Sequence, residues 1–309
     1  MKPAFHLLVD IMKVLFLVQK EQRAILDRLY ESIAENCDCD LRWLSSTEQA
    51  DLKIYFQKHI NVKLYDRILI FLRSKKMFKQ TEFLKTIPNL VILEHDACRN
   101  YFPNKYREKF SKYYRKLPNA RIIVSGATLA ERLRSEGFDA IFVPKGYDQT
   151  ILKNLHITRD IELGFLGSIE NRVYKKRKKF LKTLSKTEPL IITRTSSGEE
   201  YLNMMNRIRF FASADIGFGE YMIKNFEAMA CGCVLFAYDP GNFENQSLGF
   251  KDMEHLVLYR TMTEFREKLA FLRQHPETAD TIANAGQAFV EEKFTFHKLG
   301  KNISQSLFP

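Results

Sequence analysis

Residues 225–241 read NFEAMACGCVLFAYDPG. The stretch falls into four pieces: a short helical run with one carboxylate, a Cys231-Gly232 stop, an apolar strand, and a Pro240-Gly241 turn. Gly232 ends the helix and lets backbone approach closely. A carboxylate near the start of a helix that faces a cleft can accept two hydrogen bonds from vicinal hydroxyls. A carboxylate there can equally do no more than cap the helix dipole, and these residues alone leave both roles open to Glu227.

Outward from this stretch the same alternation repeats. Apolar runs of strand length occur at 14–18, 41–44, 67–72, 90–93, 121–125 and 140–143, then again at 161–166, 190–193, 209–214, 234–238 and 256–259. Between them lie helical patterns, at 21–36 with Ile25, Leu29 and Ile33 four apart, and at 128–136 with Gly137 suited to a left-handed cap. Further helices are expected at 173–184, 201–207, 226–230, 263–273 and 277–292. Strands alternating with helices imply α/β architecture, with parallel sheets covered on both faces. The pattern restarts near 148–160, which predicts two doubly wound, Rossmann-like units facing across a cleft. The expected divisions are 1–149, 150–285 and a C-terminal segment 286–309 that packs back towards the first unit. Ligands of such sheets bind at the carboxyl ends of the strands.

The 309 residues carry a net charge of +11, of which +8 lies in residues 1–150 and +3 in the remainder. Such a surface attracts polyanions, whether nucleic acid, anionic lipid or a phosphorylated glycolipid, and it also simply aids solubility. Five cysteines, an odd number, fit reduced thiols in a cytosolic compartment. The two C-x-C pairs lack zinc spacing and a nearby His, so no metal site is expected. The apolar stretch 4–18 is broken by His6, Asp10 and Lys13 and is too short to span a bilayer. The eleven residues before Met12 read as an appended or alternative N-terminus.

Taken with the text downstream, KDMEHLVLYRTMTEFREKLAFLRQHPE and IANAGQAFVEEKFTF, residues 225–241 resemble the donor-binding core of GT-B glycosyltransferases. They are most similar to the spore-maturation-protein-like group within the group 1 glycosyl transferases. The resemblance covers 161–300, and VSGATLAERLRSEGFDAIFVPKGYD resembles the end of the family's acceptor domain. It implies a hexosyltransferase that uses a nucleotide-diphosphate sugar, with no cofactor and no metal. Glu227 would bind the donor ribose, Lys224 would face the diphosphate, and Asn225 joins them in the donor-binding set. Gly167 and Ser168 match the loop after the domain's first strand, where backbone N–H groups meet phosphates. Arg172, Lys175 and Arg177 follow and add charge there, or line a solvated helix face. Many retaining relatives carry a second Glu eight residues before the ribose-binding one. Here that position is Gly219, so either Glu220 takes the role or the motif is absent.

In the first half, Glu94-His95-Asp96 ends an apolar run, where open sheets do their chemistry. A His oriented by a carboxylate suits a general base, with Asp96 as the alternative. Residues 104–121 combine an aromatic stripe (Tyr106, Phe110, Tyr113) with six or more cations. Such a helix either docks on an anionic membrane or turns its stripe to the core. The expected partners are a nucleotide-sugar donor and a glycan or lipid-linked acceptor. The expected setting is cytoplasmic, at the inner membrane face, in bacterial surface-polysaccharide or lipopolysaccharide assembly. A nucleotide-sugar epimerase on the same fold and a non-catalytic polyanion binder are the competing readings; no recognised nucleic-acid module accompanies the charge.

Overall fold

The computed structural model describes residues 12–20 and 24–308. The appended N-terminus read at 1–11, and residues 21–23 of the helix expected at 21–36, lie outside the described residues.

Six strands, β1 (Lys13–Gln19), β2 (Asp38–Leu44), β3 (Arg67–Phe71), β4 (Leu90–Glu94), β5 (Arg121–Val124) and β6 (Ala140–Phe142), form one sheet. Its order is β2-β1-β3-β4-β5-β6, parallel throughout. Five more, β7 (Ile161–Leu166), β8 (Leu190–Thr193), β9 (Ile208–Ala212), β10 (Val234–Tyr238) and β11 (Val257–Tyr259), form a second parallel sheet. Its order is β11-β10-β9-β7-β8. The architecture is two Rossmann-like units, as the alternation implied. Each sheet reverses its order once, between β1 and β3 and between β7 and β9, and a crevice opens at such points.

The apolar runs are explained by burial on both faces. Leu15, Leu17, Ile68, Ile70 and Ile92 join one core, while Val14, Phe16, Val18, Leu69 and Val91 join the other. That second face is covered by the helix Asp27–Glu35 and by the last helix, Phe296–Ser306. Gly300 permits the crossing, because a Cβ there would meet Ser32 Oγ at 2.4 Å. Phe296, Leu299, Ile303 and Leu307 are all at most 2% exposed. Four such side chains contribute roughly 6–12 kcal/mol of gross burial energy, ample to hold the helix there.

The helix Pro276–Lys293 belongs to the second core through Ala279, Ile282 and Val290. Its Gly286 passes over the turn at His255, whose carbonyl oxygen would stand 2.2 Å from a Cβ. The chain leaves this core at Phe294 and crosses beside the outgoing connection. There the Tyr147 N–H donates to Phe294 O (3.1 Å) and the Phe296 N–H donates to Tyr147 O (2.9 Å).

The structure corrects two local readings. Residues 104–121 do not form one basic helix: only Lys109–Tyr114 is helical, after Glu108 in the left-handed region. Phe110, Tyr113 and Tyr114 are core residues, so the aromatic stripe is not a membrane-docking face. The helices Ser46–Ala50 and Leu52–His59 were not foreseen, being too short to show a period.

Gly146 lies at the crossing, where a Cβ would stand 1.9 Å from Phe294 O and 2.5 Å from Leu299 Cδ1. Gly146→Ala is therefore expected to destabilise the chain by on the order of 2 kcal/mol, read as a lower urea midpoint.

Candidate functional site

The carboxyl ends of β1, β3, β4, β7 and β9 converge on one cleft of about 760 Å³. The first unit lines it with Gln19, Arg73, Glu94, His95, Asp96 and Lys145. The second contributes Arg177, Asp215, Lys224 and Glu227. A smaller annex of about 280 Å³ adjoins it, lined by Gly167, Ser168, the 194–198 loop, Tyr201 and Leu152. Lys224 and Glu227 line both spaces, as does Ile25 from the first unit.

Glu227 sits on the helix Ile223–Ala230, 1% exposed. Burial raises its pKa against the opposing pull of Lys224 and of the Tyr201 hydroxyl, which donates to its Oε2. Lys224 Nζ donates in turn to the same hydroxyl at 3.1 Å. Gly167 makes room for this arrangement, since a Cβ there would come within 2.9 Å of Lys224 Cε. The Gly167 N–H is already used, donating to Thr193 O at 2.9 Å. The loop thus supplies space for a lysine, where the sequence reading assigned that amide to phosphate.

Of the three cations beyond the loop, Arg177 reaches the cleft. It is buried against Asp215, which accepts from its guanidinium, and stacks over the Tyr174 ring at 4.0 Å. Arg172 is exposed on a separate surface depression with Glu170 and Lys178. Asn225 is buried in the second unit, and its Oδ1 has no hydrogen-bond partner among the described residues.

On the opposite wall, Glu94 accepts from Ser74 Oγ (2.6 Å) and from the Asp96 N–H (2.8 Å). Burial, and then the charge of Asp96, push its pKa up to about 7. Asp96 keeps 52% of its side chain open to the cleft and pairs with Arg99 at 3.0 Å. The enclosing walls still raise its pKa, although Arg99 and Lys145 pull the other way. His95 and Asp96 do not form the expected dyad. His95 Nδ1 has no hydrogen-bond partner, its ring packs edge-on against Phe71, and the neighbouring carboxylate is committed to Arg99. Burial, with Lys145 adding to it, drives the His95 pKa down to about 3. The imidazole is therefore neutral at any ordinary pH.

Glu220 does not line the cleft. It lies behind it, 3% exposed, in an ion pair with Lys145 at 2.8 Å. Lys145, Asp215 and Tyr201 are site residues that the sequence reading did not pick out. Their burial comes from long-range packing, which no local spacing announces.

With this geometry in place, the comparisons with known proteins are specific. Residues 159–304 match the family model described as glycosyl transferase-like. The Anabaena Alr3699/HepE protein in complex with UDP-glucose superposes with a TM-score of 0.69 at 14% identity, covering 96% of this chain and 99% of that one. The molecule has the GT-B fold, and the match to the glycosyl transferase-like model lies in its second unit. A glycosyltransferase from Rickettsia africae ESF-5 superposes at 0.60, with 10% identity and 96% and 99% coverage. The T4 phage BGT in complex with its UDP-glucose substrate gives 0.57, with 11% identity and 96% and 98% coverage. No curated protein matches the sequence. Among the described residues of this GT-B protein, no helix is long and apolar enough to cross a membrane.

The neutral imidazole has a measurable signature. His95 should show no titration between pH 5 and 8 in NMR spectra. Its folded pKa lies below the ordinary 6.5, so unfolding takes up a proton between pH 6.5 and about 3. Stability should therefore fall as pH drops through that window, less steeply in His95→Gln.

Proposed function

We propose that the protein transfers a sugar from a nucleotide-diphosphate donor to a hydroxyl of a glycan or glycolipid acceptor. The observation that carries this reading is the single cleft in which Glu227 and Lys224, beside an annex of nucleobase size, face the half-open Asp96. The base of the nucleotide would lie in the annex against Tyr201, and Glu227 would exchange the Tyr201 hydrogen bond for the ribose hydroxyls. Lys224 and Arg177 would meet the diphosphate.

In the transfer step the acceptor oxygen attacks the anomeric carbon. The new C–O bond forms as the bond to the diphosphate oxygen breaks, and the leaving group departs with the electron pair. Asp96 takes the acceptor proton, since its raised pKa suits a base better than the neutral, weakly basic His95. His95 remains a hydrogen-bonding wall beside it. The cations that stabilise the departing charge are side chains, so turnover should persist in EDTA. The units proposed for these roles are 1–149 on the acceptor side and 150–285 on the donor side; of the expected returning segment 286–309, residues 286–293 stay with the second unit's helix and only the last helix packs on the first.

The acceptor side also carries the charge. Residues 73–121 hold 13 Lys and Arg against 4 Asp and Glu, a net +9. Among the described residues Lys75, Lys105 and Lys109 pair with no carboxylate, and Arg99, Lys105 and Lys109 surround the Tyr106 ring at the cleft mouth. This distribution supports an acceptor held at the anionic inner face of the cell membrane, in surface-polysaccharide or lipopolysaccharide assembly.

A thermal-shift series with UDP, GDP, dTDP, CMP and ADP tests the donor half. One nucleoside diphosphate should raise the melting temperature of the wild type by several degrees at saturation and leave Glu227→Ala unmoved. A protein that no nucleotide shifts overturns the reading. With the donor so identified, Asp96→Asn should lower kcat by about 10²–10⁴-fold with donor binding retained.

A further inference from the structure

Two carboxylates of the second unit are buried against one turn of the first. Glu220, in the loop between β9 and the helix Ile223–Ala230, accepts from Ser125 Oγ at 2.8 Å and pairs with Lys145 at 2.8 Å. Glu244, on the helix Asn242–Leu248, accepts from the Thr128 N–H at 2.9 Å, at the start of the helix Ala127–Ser135. Glu220, Glu244 and Lys145 are 3%, 0% and 4% exposed. Gly126 stands between the two contacts, where an added Cβ would lie 3.1 Å from Glu220 Cβ. Close approach of the two units is built into this turn.

The contact is strong in geometry and incomplete in satisfaction. Oε1 of Glu220 and Oε1 of Glu244 are both buried with no hydrogen-bond partner among the described residues. Among the described residues only Glu220 is paired with the ammonium, while Glu244 is held by a backbone amide, so the closed arrangement keeps desolvated carboxylates that opening would return to water. Hydrogen bonds favour closure and hydration favours release. Such a balance suits a contact that is made and broken.

Its place gives it a consequence for the cleft. Lys145 both pairs with Glu220 and lines the cleft wall with His95 and Asp96. Glu220 is four residues before Lys224 on the same loop and helix. We propose that Glu220 and Glu244 form a two-point, releasable latch that sets the spacing of the cleft, with Glu220, through Lys145, a positioning residue for Asp96. The second clause rests on the transfer reading above; the first does not.

The charged and titratable groups facing Asp96 are Glu94, Arg99, Cys98, Lys145 and Glu220. Glu220 raises the Asp96 pKa and Lys145 lowers it. Neutralising Glu220 leaves the lysine unopposed, so the acid limb of the pH–rate profile should move to lower pH in Glu220→Gln. A purely structural role would lower activity without moving that limb.

The test of the latch is amide hydrogen exchange together with small-angle scattering on the full chain without nucleotide. In Glu220→Ala/Glu244→Ala, exchange at residues 126–129 should quicken by about tenfold or more and the radius of gyration should increase. Unchanged exchange and unchanged radius overturn the latch. Should that variant fail to fold, Ser125→Ala with Glu244→Met, which keep the volume while removing the hydroxyl donor and the accepting carboxylate, give the same two readings. In the kinetic arm, Glu220→Gln should lower kcat with the shifted acid limb, and Glu220→Asp should restore part of both. An unmoved limb overturns the positioning role. A protein that transfers no sugar from any donor removes the transfer reading, while exchange and scattering still decide the latch.

Discussion

The two hydrogen bonds that Tyr147 exchanges with Phe294 and Phe296 are the constraint on which the arrangement of this molecule depends. Each sheet is a complete layer with its own buried core, and neither dictates where the other stands. The crossing ties the outgoing and returning strands of chain together, with Gly146 admitting the contact. The last helix then fastens the return to the first unit by apolar packing, with Ser32 Oγ donating to His297 O and the Arg121 guanidinium to Ser306 O and Phe308 O. With the pivot fixed at one edge, the carboxyl ends of both sheets are turned towards the same space.

That convergence explains why the cleft is polar in so apolar a fold. The interiors of the central strands β1, β3, β4 and β10 are apolar because both faces are covered, so their polar groups appear where the strand stops. Glu94 closes β4, Gln19 closes β1, and Ser213 to Asp215 follow β9. The charges are then organised by burial. Glu227 and Lys224 share one tyrosine hydroxyl, Arg177 is clamped by Asp215, and Asp96 is held beside Arg99. Each pairing pre-orients a group that would otherwise sample many rotamers.

The sequence carried the layers well. Runs such as 14–18 and 234–238 are unambiguous because a both-sides-buried strand has no polar position to confuse it. Glu227 was legible through its neighbours in the chain. Lys145 and Asp215 were not, since a lysine three residues after β6 reads as a solvated surface residue until a carboxylate 75 positions away is folded against it. In the 104–121 segment the core role of the rings was legible and the helix length was not. Its aromatic spacing is that of a helix face, but Glu108 in the left-handed region shortens the helix, and the core claims the rings.

Ile25 and Asp148 belong to the first unit and yet form part of an annex wall built mostly by the second. A molecule that fills the annex is therefore gripped by both halves, and occupancy and interdomain geometry become one equilibrium. Its apparent affinity equals the intrinsic affinity scaled by the fraction of molecules in the competent geometry. By reciprocity, whatever is bound there shifts that fraction, and with it the spacing of the neighbouring cleft. Coupling between the two halves is thus carried by the few first-unit side chains that reach this wall.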